Sequence, residues 1–421
     1  MRILFFLGFV LPVFCVEKVP SLSDLSDERP LSSMERTSMT GDWNGARQKA
    51  KDAGVEITAS YANDLLGNPV GGKTQGFANA GSFGLNLSFD LQKIAKIYGL
   101  NLFTSFVVRH GVNLSRRYIG NQFNAAQLYG RETYLLNELY LKETLFDGKF
   151  VLKGGRLNAG YDFLVSPLYA NYVNNSFFPS PVSIFFNTLF TTYPNATWGA
   201  YTQVKPHPTL LLKFGLYNHT STIFRNKYHG AYFPFKSTQG LMLMSEWAYL
   251  LNQRSDDLGF SGNYRIGAYY ITGKVPSFEG GFQRGNFGTY LLLDQTIYQK
   301  RGTTRKVTPF AALLFAPNKN KNRFPFFLSS GIVFNGLVPH RENDSFSLGV
   351  SYGAHSSKLR SLQKKAGDLQ QTFESIVELN YWAQITQWLA LTPDVQYVIR
   401  PNGYKTIQNA LVVGVQIIMN L

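Results

Sequence analysis

Gly84-Leu85-Asn86-Leu87-Ser88-Phe89-Asp90-Leu91-Gln92 alternates apolar and polar side chains without a break. Successive side chains of an extended strand point to opposite faces, so Leu85, Leu87, Phe89 and Leu91 share one face while Asn86, Ser88, Asp90 and Gln92 share the other. One face suits lipid and the other suits water. Sixteen such runs follow one another between Val55 and Leu421: 55–62, 84–92, 101–110, 134–143, 149–157, 196–205, 210–218, 240–250, 262–273, 288–299, 306–316, 327–337, 345–354, 374–385, 389–399 and 410–421. With the first strand rising from the periplasm, the outside connections 63–83, 111–133, 158–195, 219–239, 274–287 and 355–373 are long, whereas the inside connections 93–100, 144–148, 206–209 and 386–388 are short. An even strand count with this asymmetry predicts an all-β fold, a 16-stranded antiparallel transmembrane β-barrel. The last run closes it, with Leu411, Val413, Val415, Ile417, Met419 and Leu421 on one face.

Composition agrees with this pattern. Past Val16 no uncharged apolar stretch reaches the ~20 residues of a spanning helix, and the mean hydropathy of −0.12 is what alternation produces. Barrels and helices alone satisfy every backbone hydrogen bond in hydrocarbon. The 34 Phe, 24 Tyr and 38 Gly among 421 residues suit membrane girdles, turns and tight wall packing. The formal net charge of +15 rests on Lys and Arg scattered singly through loops and strand ends. With no basic tract or nucleic-acid motif, it points to an acidic lipid surface or a cationic pore and to no nucleic acid.

Met1 and Arg2 precede an apolar run from Ile3 to Phe14, the layout of a secretory signal peptide over residues 1–20, with the cleavage point open between Cys15 and Ser23. The lone cysteine leaves with it, so no disulfide or Cys-based metal site is expected. Residues 21–54 read as a flexible N-terminus followed by a short periplasmic helix over 43–53, capped by Asp42 and stopped by Gly54. The barrel then occupies 55–421.

A barrel of sixteen strands is too wide for wall side chains to fill, so it leaves an aqueous bore, and selectivity requires a constriction. The longest connection, 158–195, carries Phe177, Phe178, Phe185, Phe186 and Phe190, too apolar for a loop in water. It is expected to fold into or over the mouth, with its aromatics either packing it on the wall or meeting the solute. Strand parity turns Arg109, Glu138, Glu246, Arg265, Asp294, Glu378 and Gln396 toward the bore. Arg156, at the end of Lys153-Gly154-Gly155-Arg156, and Asp162 just beyond it are expected to pair at the eyelet. Charged rings set pore selectivity, and such side chains also bond sugar hydroxyls.

Catalysis finds little support. His219 near Ser221 and His355 beside Ser356 lack a visible third member of a triad. Gly71-Gly72-Lys73-Thr74 precedes no helix and is read as a loop, and no His, Asp or Glu cluster has metal-ligand spacing. No cofactor or metal is therefore expected.

Three stretches carry a resemblance: Thr40-Gly41-Asp42-Trp43-Asn44-Gly45-Ala46-Arg47, Gly155-Arg156 with Asp162-Phe163, and Glu378-Leu379-Asn380-Tyr381 through Thr392-Pro393-Asp394-Val395-Gln396-Tyr397-Val398-Ile399-Arg400-Pro401. Together they resemble the carbohydrate-selective porin family of the OprB type, from about residue 40 onward. The resemblance implies a bacterial outer-membrane porin that passes sugars such as glucose down their gradient. Two departures are a final Leu421 in place of an aromatic and Asn380-Tyr381-Trp382 where relatives carry Tyr then Arg. Membrane lipid and lipopolysaccharide are the implied surroundings, and either a monomer or a homotrimer fits. The alternatives are a general or anion-preferring porin, an outer-membrane hydrolase and a surface anchor.

Overall fold

The computed structural model describes residues 36–128, 132–235, 240–254 and 257–421; the expected signal segment lies outside these residues. The chain forms one antiparallel sheet closed on itself: β1 (Val55–Gly72), β2 (Gly76–Asp90), β3 (Leu100–Gly111), β4 (Thr133–Leu145), β5 (Phe150–Leu157), β6 (Thr197–His207), β7 (Leu210–Asn218), β8 (Leu241–Leu251), β9 (Gly262–Pro276), β10 (Phe282–Gln295), β11 (Tyr298–Gln299), β12 (Lys306–Phe315), β13 (Phe326–Asn335), β14 (Ser345–Ala354), β15 (Phe373–Gln384), β16 (Leu389–Ile399) and β17 (Gln408–Asn420). The two-residue β11 continues β10 along β12, so the segments make sixteen staves. β1 pairs with both β2 and β17, so the first and last strands close the cylinder.

Parity is kept around the wall. On β9, Ile266 is 61% exposed and Tyr270 46%, while Arg265 and Tyr269, each one residue earlier, are 8% and 4% exposed. The outward row meets acyl chains and the inward row faces the bore. The main departure from the expected strands is at the first hairpin. Residues 63–83 are mostly strand, with only 73–75 turning between β1 and β2, because Gly67, Gly76, Ala78, Ala80 and Gly81 continue the ladder with small side chains that leave no hydropathy alternation to read. The connection at 277–281 is likewise tight, whereas those after β3, β5, β7 and β14 are long and leave the wall at the end opposite α1 (Ala46–Asp52).

The helix α1 starts later than expected, after Gly45 at φ 84°, although the Asp42 carboxylate still accepts the Gln48 N–H at 3.2 Å. Its role is at the seam. Arg47 donates to Ser38 Oγ at 2.5 Å, to Thr40 Oγ1 at 3.0 Å and to the Leu421 carbonyl at 3.0 Å, and it lies 4.3 Å from the Trp43 ring. The Met39 N–H reaches the Asn420 carbonyl at 2.8 Å. The Thr40–Arg47 stretch thus ties the chain before β1 to the end of β17, across the one seam that joins the two ends of the sheet. Within the wall, Gln416 donates to Asp64 at 2.7 Å over the same junction.

At the outer end, α5 (Ser357–Ala366) is capped by the Ser356 hydroxyl, which accepts the Lys358 and Leu359 N–H groups. His355 beside it is buried, with its ring 4.6 Å from Phe324 and neither ring nitrogen hydrogen-bonded. Burial first, and Arg323 second, push its pKa from 6.5 down to about 3.

Two outcomes follow from these contacts. Arg47→Ala removes two side-chain bonds, one bond to the terminal carbonyl and a cation–π contact, and should lower barrel stability by about 1–3 kcal/mol; heat-modifiability on gels reads this, with Lys49→Ala as the unaffected control. For His355, the opened loop takes up a proton near pH 6.5 and the packed loop does not until about pH 3. Packing is therefore fully stable above about 6.5 and weakens as pH falls toward 3. Amide exchange over 356–371, corrected for intrinsic rates, should quicken from pH 8 to pH 5, and His355→Phe should abolish the change.

Candidate functional site

The bore is narrowed from within. β5 ends at Leu157 and the chain turns inward through α3 (Ala159–Asp162), runs along the inner wall past α4 (Ser183–Asn187), and leaves at Ala196 for β6. A second connection, 112–128, lies beside it. Both bury aromatic rings against the wall: Tyr172 stacks on Phe177 at 4.4 Å and meets Phe310 at 5.6 Å, Phe163 meets Tyr201 at 5.7 Å, and Phe123 meets Phe324 at 5.3 Å. Gly331 and Gly349 make room, since a Cβ on either would stand 2.3 and 2.6 Å from Tyr172. Each ring so buried contributes roughly 1.5–3 kcal/mol.

A chain led into a dry interior must find acceptors for its N–H groups, and each one left unmet costs about 1–3 kcal/mol. The wall supplies carboxylates. Glu138 accepts from Asn158 N–H at 2.9 Å and Glu246 from Leu164 N–H at 3.2 Å; Glu378 accepts from Val173 at 2.6 Å and Asn174 at 3.1 Å. Glu374 takes the N–H groups of Gln122, Phe123 and Asn402. Gln396 accepts from Asn174 Nδ2 at 2.8 Å and donates to the Ala125 carbonyl at 3.0 Å. Cations balance several of these groups: Lys213 lies 2.9 Å from Glu246 and donates to the Asp162 carbonyl at 2.8 Å, Lys153 pairs with Asp162 at 2.6 Å, and Arg265 pairs with Asp294 at 3.1 Å while donating to the Val165 carbonyl. Removing one partner of such a buried pair is costly, because it leaves the other charge uncompensated.

The structure turns Arg109, Glu138, Glu246, Arg265, Asp294, Glu378 and Gln396 inward, yet all are buried, with Glu246, Glu378 and Gln396 fully so. Most are fixed to the inserted chain, a partnership that parity alone does not reveal. Arg109 packs on the Tyr193 ring at 4.7 Å. Arg156 departs from the eyelet expected of it. It pairs across the sheet with Leu139 and Trp198 on the outward row, and its guanidinium donates to the Tyr232 carbonyl at 2.8 Å and the Ala196 carbonyl at 2.9 Å. The inward position beside it belongs to Gly155, so Asp162 finds Lys153 and not Arg156. Phe177 and Phe178 are buried as packing, and Phe185 packs on Phe190 at 5.6 Å.

What the inserted chain leaves half-open lies toward β1–β5. Tyr161 and Tyr193, from its two ends, keep partial exposure and reach the opposite wall: Asn137 Nδ2 lies 3.4 Å from Tyr161 Oη, and Tyr193 Oη lies 2.8 Å from Ser82 Oγ. The wall facing them is small and polar, with Ser60, Ser82, Asn86 and Ser105 on the inward row. Lower on β4, half-buried Lys142 stands opposite Lys153 across the strand pair. No ion pair to it is formed among the described residues. Sequence reasoning missed Lys142, although Leu139 and Leu141 pointing outward would have placed it inside. The tyrosines give no such signal, since loop routing decides where they lie.

The histidines are engaged elsewhere. His219 Nε2 accepts the Leu189 N–H at 3.2 Å, and the Ser356 hydroxyl caps α5 beside a His355 buried on Phe324. Among the described residues no group of three or more His, Cys, Asp or Glu side chains is placed to hold a metal ion.

Comparison with known proteins gives this architecture its relatives. The chain is 25% identical to Porin B of Pseudomonas aeruginosa over 416 residues, 90% of each protein, and 23% identical to the putative porin QuiX of Acinetobacter baylyi over 92% of this chain and 94% of that one. Among solved structures, the high-pH form of Pseudomonas putida OprB superposes with a TM-score of 0.86 at 24% identity over 92% of this chain and 99% of that one, and the low-pH form with 0.61 at 20% identity over 93% and 100%. Both share the fold. The sequence profile of the family described as "Carbohydrate-selective porin, OprB family" matches residues 74–421. With that profile covering most of the chain and the closed barrel it implies present, this protein belongs to the OprB family of carbohydrate-selective porins, channels of the bacterial outer membrane.

Proposed function

We propose that sugars cross this barrel along the β1–β5 side of the bore, between the small polar wall and the two ends of the inserted chain. The observation that carries this reading is the pair of half-open tyrosines, Tyr161 and Tyr193, standing opposite Asn137 and Ser82. An aromatic face covers the apolar face of a sugar ring, and the hydroxyls and amides around it exchange bonds with the sugar's own hydroxyls. Passage is passive, with no cofactor and no chemical step, and the engagement of His219 and His355 in packing speaks against a hydrolase.

A second reading, an anion-preferring pore, draws on Lys142, which adds a positive charge beside Lys153 with no counterion of its own on the wall. A cation in a narrow bore favours anions over cations by its field alone. The two readings combine in a passage that admits neutral sugars and mildly anionic ones.

Swelling of liposomes holding the purified protein, run with a panel of monosaccharides, sugar acids, amino acids and phosphate, tests both. Monosaccharides should enter fastest; amino acids of equal size entering as fast would make the pore a general one. Tyr193→Ala should raise single-channel conductance and weaken sugar block about tenfold, equivalent to ~1.4 kcal/mol. Lys142→Ala should shift reversal potentials toward cations in a salt gradient. Arg156→Ala, facing away from the bore, should change neither; a selectivity change in that variant would return it to the channel.

A further inference from the structure

The chain that leaves β5 at Leu157 exposes a second consequence on the outside of the wall. Above that point β4 has no partner on its β5 side, and the connection after β7 fills the gap: the Leu136 N–H donates to the His229 carbonyl at 2.9 Å, and His229 Nδ1 meets the Tyr134 carbonyl at 2.9 Å while its ring stacks on Tyr134 at 4.0 Å. Outward-facing Arg156 holds the Tyr232 carbonyl, and the Trp198 indole N–H holds the Phe233 carbonyl. This loop is therefore fixed against the outer flank of β4–β6, at the outer end of the lipid-facing rows.

Its free side has a definite chemistry. Phe224 is 50% exposed, Phe233 43% and Phe235 59%; Arg225 and Lys227 are exposed on the same loop, the Lys227 ammonium 4.9 Å from the Tyr228 ring. From His219 to Phe235 the sequence carries no Asp or Glu. In water this is an unfavourable surface. Where acyl chains meet an anionic headgroup it is a favourable one, because aromatic rings suit the boundary and each cation gains about 1 kcal/mol near a negatively charged leaflet. Arginine in particular matches phosphate with two parallel donors.

We propose that residues 224–235 form a docking site for the phosphorylated glucosamine headgroup of the outer-leaflet glycolipid, with Arg225 and Lys227 taking a phosphate and Phe224, Phe233 and Phe235 seated on the acyl chains below it. The site lies outside the bore and stands or falls independently of the sugar path.

The full-length protein, refolded in detergent free of lipopolysaccharide, is titrated with bisphosphorylated lipid A, with lipid A stripped of phosphate and with inorganic phosphate, and bound lipid is counted by native mass spectrometry. Bisphosphorylated lipid A should bind at least tenfold more tightly than the stripped form, and inorganic phosphate should not compete at millimolar concentration. Arg225→Ala with Lys227→Ala should lose at least tenfold in affinity for bisphosphorylated lipid A with an unchanged sugar-swelling rate. Lys364→Ala with Lys365→Ala, on α5, should lose nothing. Should the double variant refold poorly, Arg225→Gln alone must still weaken binding. Equal binding of the stripped lipid, undiminished binding by the Arg225 and Lys227 variants, equal loss in the α5 variant, or lipid-free dimers broken by the Arg225 change would each overturn the site.

Discussion

The constraint on which the rest of this barrel depends is that a peptide chain drawn into a cylinder bounded by hydrocarbon must have its N–H groups met by the wall. Water is largely excluded once Tyr172, Phe177 and Phe163 are packed, so acceptors have to be built in. Glu138, Glu246, Glu374 and Glu378 do this from staves spaced around the wall, each taking one or more N–H groups from the connections inside. A carboxylate is suited to the task because it accepts at two oxygens and donates at none while ionised. Its burial is costly, and Lys213, Arg265 and Lys153 offset that cost only where they sit within direct reach.

This division of labour explains why so many inward charges do not line open water. Charges committed to anchoring are held by several bonds each. The inward side chains that keep partial exposure where the inserted chain stops include Tyr161 and Tyr193 at its ends and Lys142 below. Small residues on the facing wall keep the gap from closing, since Ser60, Ser82 and Ser105 occupy far less space than the rings that fill the β8–β16 side. Rigidity on one side and room on the other come from the same distribution of side-chain size.

Most of the wall was legible in the alternation, because lipid on one side and polar surroundings on the other impose a period of two that few other environments impose. The first hairpin was not, since Gly76, Ala78, Ala80 and Gly81 form strand through their backbone with too little side chain to alternate in hydropathy. Parity likewise placed Glu246 and Arg265 inside but said nothing of Leu164 or Val165, because the partner is set by the route of a loop far from these staves in sequence. Arg156 shows the sharper limit. Beside two glycines its face was unreadable, and only pairing with Leu139 and Trp198 turned it outward.

The early end of β5 ties these observations together. By stopping at Leu157 the chain gains a long excursion into the bore, which makes the constriction, and it forfeits the partner of upper β4, which opens an edge in the wall. An open edge facing lipid cannot persist, because its N–H and C=O groups would be unmet in a medium with no donors or acceptors. The connection after β7 closes it through His229, and Arg156, at the last pairing before the departure, fastens that connection in place. The residue that sequence spacing assigned to the channel is thus the bolt on the outside of the same opening, and the inner constriction and the outer loop are two results of one interrupted strand.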